Sequence, residues 1–125
     1  MAQRTAIILA ALAYLISKHF VCDFPLQSDY QLRKKGIYGH PAGLLHASVH
    51  SVGTAPVFIV LNTAPAIATA LIAAEWLVHY HCDWIKEQVL TRFQWTPRDR
   101  GYWTALGADQ MVHYLTYIGI LAIAG

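Results

Sequence analysis

The sequence predicts an all-α integral membrane protein, a four-helix bundle assembled from two related helical hairpins. Three observations lead there. Hydrophobic residues make up 56% of the 125 positions and charged residues 13%, about half the charged share of an ordinary soluble domain. Four eleven-residue segments, 6–16, 51–61, 64–74 and 114–124, contain neither a charge nor a histidine. Each is continued by a mostly apolar stretch that carries two ionisable residues four positions apart.

An eleven-residue helix is only about 16 Å long, roughly half a bilayer core. The continuations at 17–24, 42–50, 75–85 and 103–113 extend the four segments to spans of approximately 5–24, 42–61, 64–85 and 102–124. Helices of about 20 residues are long enough to cross. The whole chain, 1–125, reads as one transmembrane domain. The first span lacks a small-residue cleavage site and is expected to be retained.

The joints fit the division. Asn62, Thr63 and Pro65 predict a short turn with a proline in the first turn of the following helix. Pro41 suits the start of the second span, and Pro56 sits inside it at a position where membrane helices tolerate a kink. Residues 25–40 and 86–101 are polar connections. They hold Arg33, Lys34, Lys35, Lys86, Arg92, Arg98 and Arg100, against Arg4 alone on the other side. Basic residues favour the cytoplasmic face. The expected location is therefore the cell inner membrane, multi-pass, with both long loops inside and both termini outside. Tyr30, Tyr38, Trp84, Trp95, Tyr102 and Trp103 would form an aromatic belt on the loop side. A soluble bundle is the competing reading, but the chain offers too little polar surface to cover four such helices. The expected partner is the lipid bilayer. The formal charge of +2 gives no reason to expect nucleic acid.

The pairs carry the chemistry. They are His19 and Asp23, His46 and His50, His79 and Asp83, and Asp109 and His113. Residues at i and i+4 share a helix face, and ionisable groups inside a membrane normally face a functional interior. Counted from the outer helix ends, His19, His50, His79 and His113 lie 12 to 14 residues in, a common depth of roughly 18–21 Å. The other four members fall one turn nearer the loops. The expectation is two stacked layers, one of four histidines and one of Asp23, His46, Asp83 and Asp109.

An internal repeat supports convergence. His19-Phe-Val-Cys-Asp23-Phe24 matches His79-Tyr-His-Cys-Asp83-Trp84, and Val49-His50 is echoed by Val112-His113, at offsets of 60 and 63 residues. Parallel hairpins related this way place a pseudo-two-fold axis along the membrane normal, with the site on the bundle axis.

Imidazole nitrogen with carboxylate oxygen suits a divalent zinc, manganese or iron ion. Eight ligands exceed one tetrahedral ion, so either two ions bind or several residues orient the ligating imidazoles. Glu75, one turn beyond His79, is a further ligand, a supporting group or a general base, and is the residue expected to act catalytically. Lys86 follows Asp83 by three residues and reads as a site neighbour or an interfacial lysine that snorkels. His81 lies off the ligand face and His40 in a loop. Cys22 and Cys82 are too few for a disulfide scaffold and suit packing better than ligation. A hydrogen-bond network without metal is the bland alternative.

Taken together, His19-x-x-x-Asp23-Phe24-x-x-Gln27, Leu44-Leu45-His46, His79-x-x-x-Asp83-x-x-Lys86 and Asp109-Gln110-x-x-His113 resemble an uncharacterised family of bacterial and phage membrane proteins, domain-of-unknown-function family 3307. The resemblance spans nearly the whole chain. It implies a multi-pass membrane protein with a shared polar site, adds Gln27 and Gln110 as site neighbours, and brings no activity with it. The expected function is a metal-dependent hydrolase acting on a membrane-associated substrate. The alternatives are a divalent-ion or proton translocator, a haem-binding bundle, and a membrane bundle whose metal is structural.

Overall fold

The computed structural model describes residues 1–125 and is all helical. Five helices form: α1 (Ala2–Asp23), α2 (Asp29–Lys34), α3 (Pro41–Val60), α4 (Pro65–Phe93) and α5 (Arg100–Ala124). Four are long, as expected; the fifth, α2, corrects the reading of 25–40 as plain connection. Its cause is local. Ser28 caps the helix, with the Gln31 N–H donating to Ser28 Oγ at 3.3 Å and the Ser28 N–H donating to Gln31 Oε1 at 3.2 Å, a reciprocal capping box.

The second connection is also shorter than expected. No glycine or proline interrupts 86–93, so α4 continues to Phe93 and stops where Gln94 turns left-handed at φ 52°. Thr96–Asp99 then closes a tight loop, with the Thr96 N–H and hydroxyl donating to Asp99 Oδ2 at 2.7 and 2.9 Å. The opposite turn is as short as the sequence suggests, Asn62 taking φ 53° between α3 and α4. At the other end of α3, the Ala42 N–H donates to the His40 ring at 3.1 Å, so this loop histidine is a helix cap.

The long helices form a ring in the order α1, α3, α4, α5. Both α1 and α4 pack on α3 and on α5, while α2 lies against α3. Helices α1 and α4 therefore face each other across the axis, as do α3 and α5. That is the placement a two-fold between the hairpins requires. Close approach of α1 to α3 uses Gly53, where a Cβ would meet Lys18 Cδ at 2.8 Å.

The distribution of polarity is inverted. Of 27 buried residues, fourteen are polar or charged and twelve hydrophobic, while 28 large hydrophobics, from Leu9 and Phe20 to Leu115 and Ile123, are exposed. An apolar cluster of Ala11, Leu15, Val57, Phe58, Leu71, Tyr117, Ile120 and Leu121 fills the axis toward the Asn62 end. The polar side chains fill it toward α2. Helices α1 and α3 are long and apolar enough to cross a membrane, and only 28% and 44% of their most apolar windows are buried within the protein.

Candidate metal centre

All eight paired residues converge on the bundle axis. Four imidazoles form the layer nearer the apolar plug. Ring centroids of His50 and His79 are 3.9 Å apart, His79 and His113 4.1 Å, His19 and His50 4.8 Å, and His19 and His113 4.9 Å. Each helix contributes one, because each sequence position recurs at the same depth. The carboxylates lie one turn toward α2, as the i+4 spacing on α1 and α4 and its reverse on α5 dictate. His46, from the same turn of α3, sits between two of them, its Nε2 3.2 Å from Asp23 Oδ1 and 3.2 Å from Asp83 Oδ2.

Asp23 is the most imidazole-rich point. Its Oδ1 is 3.0 Å from His50 Nε2 and its Oδ2 is 3.0 Å from His19 Nε2. These are short contacts without hydrogen-bond geometry. His19 Nε2, His50 Nε2 and Nδ1, Asp23 Oδ1, His79 Nε2 and His113 Nε2 are all buried with no hydrogen-bond partner. Leaving one such group unsatisfied costs about 1–3 kcal/mol, so six in one cluster call for a common partner. Separations of 3.0–3.4 Å fit the edges of a ligand tetrahedron, about 3.3 Å when each donor stands 2.0–2.1 Å from zinc. Donor atoms of Asp23, His46, His50 and His79 can all be drawn from within 4.8 Å of one another, as can those of His79, Asp83 and His113. The residues fit a divalent ion.

The surrounding contacts orient the ligands. Tyr117 Oη lies 2.9 Å from His19 Nδ1, which leaves Nε2 facing Asp23. Gln110 Nε2 donates to Asp23 Oδ2 at 2.9 Å and to Asp109 Oδ2 at 3.2 Å, linking the two hairpins. Gln27 Nε2 lies 3.3 Å from His46 Nε2. Both glutamines thus stand beside the cluster.

Three lysines change the electrostatics. Lys86 does not snorkel: it is buried, with its Nζ 3.6 Å from Asp83 Oδ1 and 3.8 Å from Asp109 Oδ2. Lys35, read from sequence only as a loop charge, is buried and donates to Asp83 Oδ2 at 3.1 Å. Lys18, to which the sequence reading gave no role, is buried one turn toward the plug. Its ammonium donates to the His50 carbonyl, Thr54 Oγ1 and Glu75 Oε1 at 2.8, 3.0 and 3.1 Å. The signal was present: a lysine adjoining His19 in a span, and one glutamate on another span to meet it. Glu75 is therefore an ion-pair partner, with Oε2 left free.

Other residues fall outside. His81 is half-exposed, with Nε2 3.2 Å from the Tyr38 hydroxyl and Nδ1 2.7 Å from the Leu77 carbonyl. Cys22 is buried and unbonded to Cys82. The Cys82 thiol donates to Asp109 Oδ1 at 3.5 Å, and its sulfur lies near enough to Asp109 and His113 to form a third possible ligand group.

No curated protein and no solved structure matches the chain. A family model does match, over residues 11–124, and it includes every residue of the cluster. The chain belongs to the family described as Protein of unknown function (DUF3307).

Proposed function

We propose that this chain is a multi-pass inner-membrane protein that holds a divalent ion inside its four long helices and uses it in hydrolysis of a membrane-associated substrate. One observation carries the metal: six buried nitrogen and oxygen atoms without hydrogen bonds, gathered from α1, α3, α4 and α5 around Asp23 and its neighbours. Zinc, manganese and iron all accept that donor set. The membrane reading rests on the exposed apolar residues and the buried polar ones, an arrangement that lipid stabilises and water does not. With the basic loops inside, both termini lie outside the cytoplasm.

The hydrolytic reading rests on access and on available chemistry. A cavity of about 340 Å³ opens at the α2 end and is lined by Asp23, Gln27, Lys35, Lys86 and Gln110 among others. A divalent ion there supplies Lewis acidity to a carbonyl or phosphoryl oxygen and lowers the pKa of water. Asp23, His46 and His50 would bind it, Gln110 would orient Asp23 and Tyr117 the adjoining His19, and the free Oε2 of Glu75 would accept a proton.

Translocation is the weaker reading, because the apolar cluster from Ala11 to Leu121 closes the axis beyond the lysine–glutamate pair. Haem is disfavoured by the rings themselves, which pack at 3.9–4.9 Å between centroids and leave no gap for a macrocycle. Elemental analysis of protein purified in detergent tests the proposal. Retained zinc, manganese or iron and a melting temperature lowered by chelator are expected; no metal and no effect of chelator would refute it.

A further inference from the structure

The two hairpins share the His/Asp motif and take opposite places around the ring, yet their charges differ. The offset of 60 residues sets Asp83 against Asp23, and it also sets Lys86 against Leu26 and Lys35 against Trp95. Leu26 is exposed and brings no charge to Asp23. Asp23 has three imidazoles within 3.2 Å and no ammonium group in ion-pair contact. Asp83 has Lys35 at 3.1 Å and Lys86 at 3.6 Å, and its own hairpin's imidazoles stand off at 3.8 Å for His79 and 3.7 Å for His113. Asp109, which replaces the imidazole of His46 in the pseudo-symmetric scheme, shares Lys86.

We propose that the bundle holds one divalent ion, seated at Asp23 with His46 and His50, and that Lys35 and Lys86 occupy the electrostatic place of a second ion in the other hairpin. This rests on the metal-binding reading above.

The charges favour it. Lys18 neutralises Glu75, and Lys35 with Lys86 neutralise Asp83 and Asp109. Among these groups and Asp23, four carboxylates face three ammonium groups and leave one negative charge, at Asp23; Lys86 also meets the partly exposed Glu87 at 3.4 Å. A dication at Asp23 leaves a single positive excess spread over several imidazoles. A dication at Asp83 would stand against two ammonium groups, with Asp23 still uncompensated. Buried like charges at such range repel strongly, and unpaired buried charges are expensive. The internal repeat thus contains two related clusters, of which one is fitted for metal and the other carries its own cations.

The test counts ions. Protein purified in detergent is equilibrated with excess zinc, desalted and analysed for metal per chain. Wild type is expected to carry one ion, and the K35M/K86M double variant two. The K35M/K86M protein should also gain more melting temperature from zinc than wild type, because two carboxylates have lost their partners. Should K35M/K86M not fold, the single changes decide: D83N is expected to keep one ion and D23N to lose it. Two ions in wild type, one in a folded K35M/K86M protein, or retention in D23N with loss in D83N would each overturn the proposal. No ion in wild type would instead remove the metal reading on which it stands.

Discussion

His50 Nε2 stands 3.0 Å from Asp23 Oδ1, and neither atom has a hydrogen bond. Two buried groups that close, each with its lone pairs unspent, mark the point at which the bundle can receive a cation. The same pair explains why the apo protein should be marginal: the cluster stores unsatisfied polar groups that only a ligand relieves.

Stability should therefore respond to metal. At a free concentration one hundred times the dissociation constant, binding adds about 2.7 kcal/mol. Calorimetry or thermal circular dichroism with and without chelator should show the melting temperature fall on removal and recover on readdition. An unchanged midpoint would contradict the site.

Removal of ligands should be graded. Asp23→Asn takes away the charged donor and is expected to abolish retained metal through desalting, whereas His50→Ala leaves Asp23 and His46 and should bind the ion only under excess metal. Tyr117→Phe removes only the group that orients His19 and should weaken affinity by about 10–100-fold, read by competition with a chromophoric chelator. Equal effects of all three would contradict the assignment of Tyr117 as a supporting residue.

The buried pair of Lys18 and Glu75 should be costly to break and cheap to replace. Glu75→Gln leaves a buried ammonium without its counter-charge, a loss of about 3–5 kcal/mol. The apolar double change K18M/E75L should recover most of it. If Glu75 also accepts a proton in hydrolysis, K18M/E75L will fold, retain metal and lack activity. A folded and fully active double variant would make the pair purely structural.

Gly53 makes room for the Lys18 stem. Gly53→Val should force that stem aside and cost about 1–3 kcal/mol. Gly53→Ala gains helix propensity worth up to about 1 kcal/mol, and the flexible stem yields, so it should be close to neutral. Unfolding midpoints of the two variants check the order.

The loop between α4 and α5 should loosen in acid. The Thr96 N–H and hydroxyl hold the Asp99 carboxyl below the ordinary aspartate range. A depressed folded-state pKa means stabilisation present above the unfolded value, about 3.9, and lost as pH falls through the folded one. Hydrogen exchange at Thr96 should quicken at low pH, beyond the intrinsic trend, in wild type but not in Asp99→Asn.

Much of this was legible in the residue order. Four long helices follow from apolar length, Pro41, Pro65 and the Asn62 turn. The two layers follow from i+4 spacing at common depth. The repeat of His19/Asp23 in His79/Asp83 anticipates the α1–α4 diagonal. The capping box at Ser28 and Gln31 is equally readable, although 25–40 otherwise reads as polar connection, and it starts the short helix whose C-cap is Lys35, the partner of Asp83. Lys18, Lys35 and Lys86 are harder. A lysine stem reaches far enough to serve either an interface or a buried acid, and only packing decides which. The asymmetry between Asp23 and Asp83 is for that reason invisible to a motif comparison that treats the hairpins as equals.

The central claim is a cation held by nitrogen and oxygen at Asp23. X-ray absorption at the edge of the retained metal tests it most directly. For zinc the account predicts a shell of nitrogen and oxygen at about 2.0–2.2 Å, with imidazole scattering that shrinks in His50→Ala. A shell dominated by sulfur at about 2.3 Å, or a spectrum unchanged by His50→Ala, would contradict it.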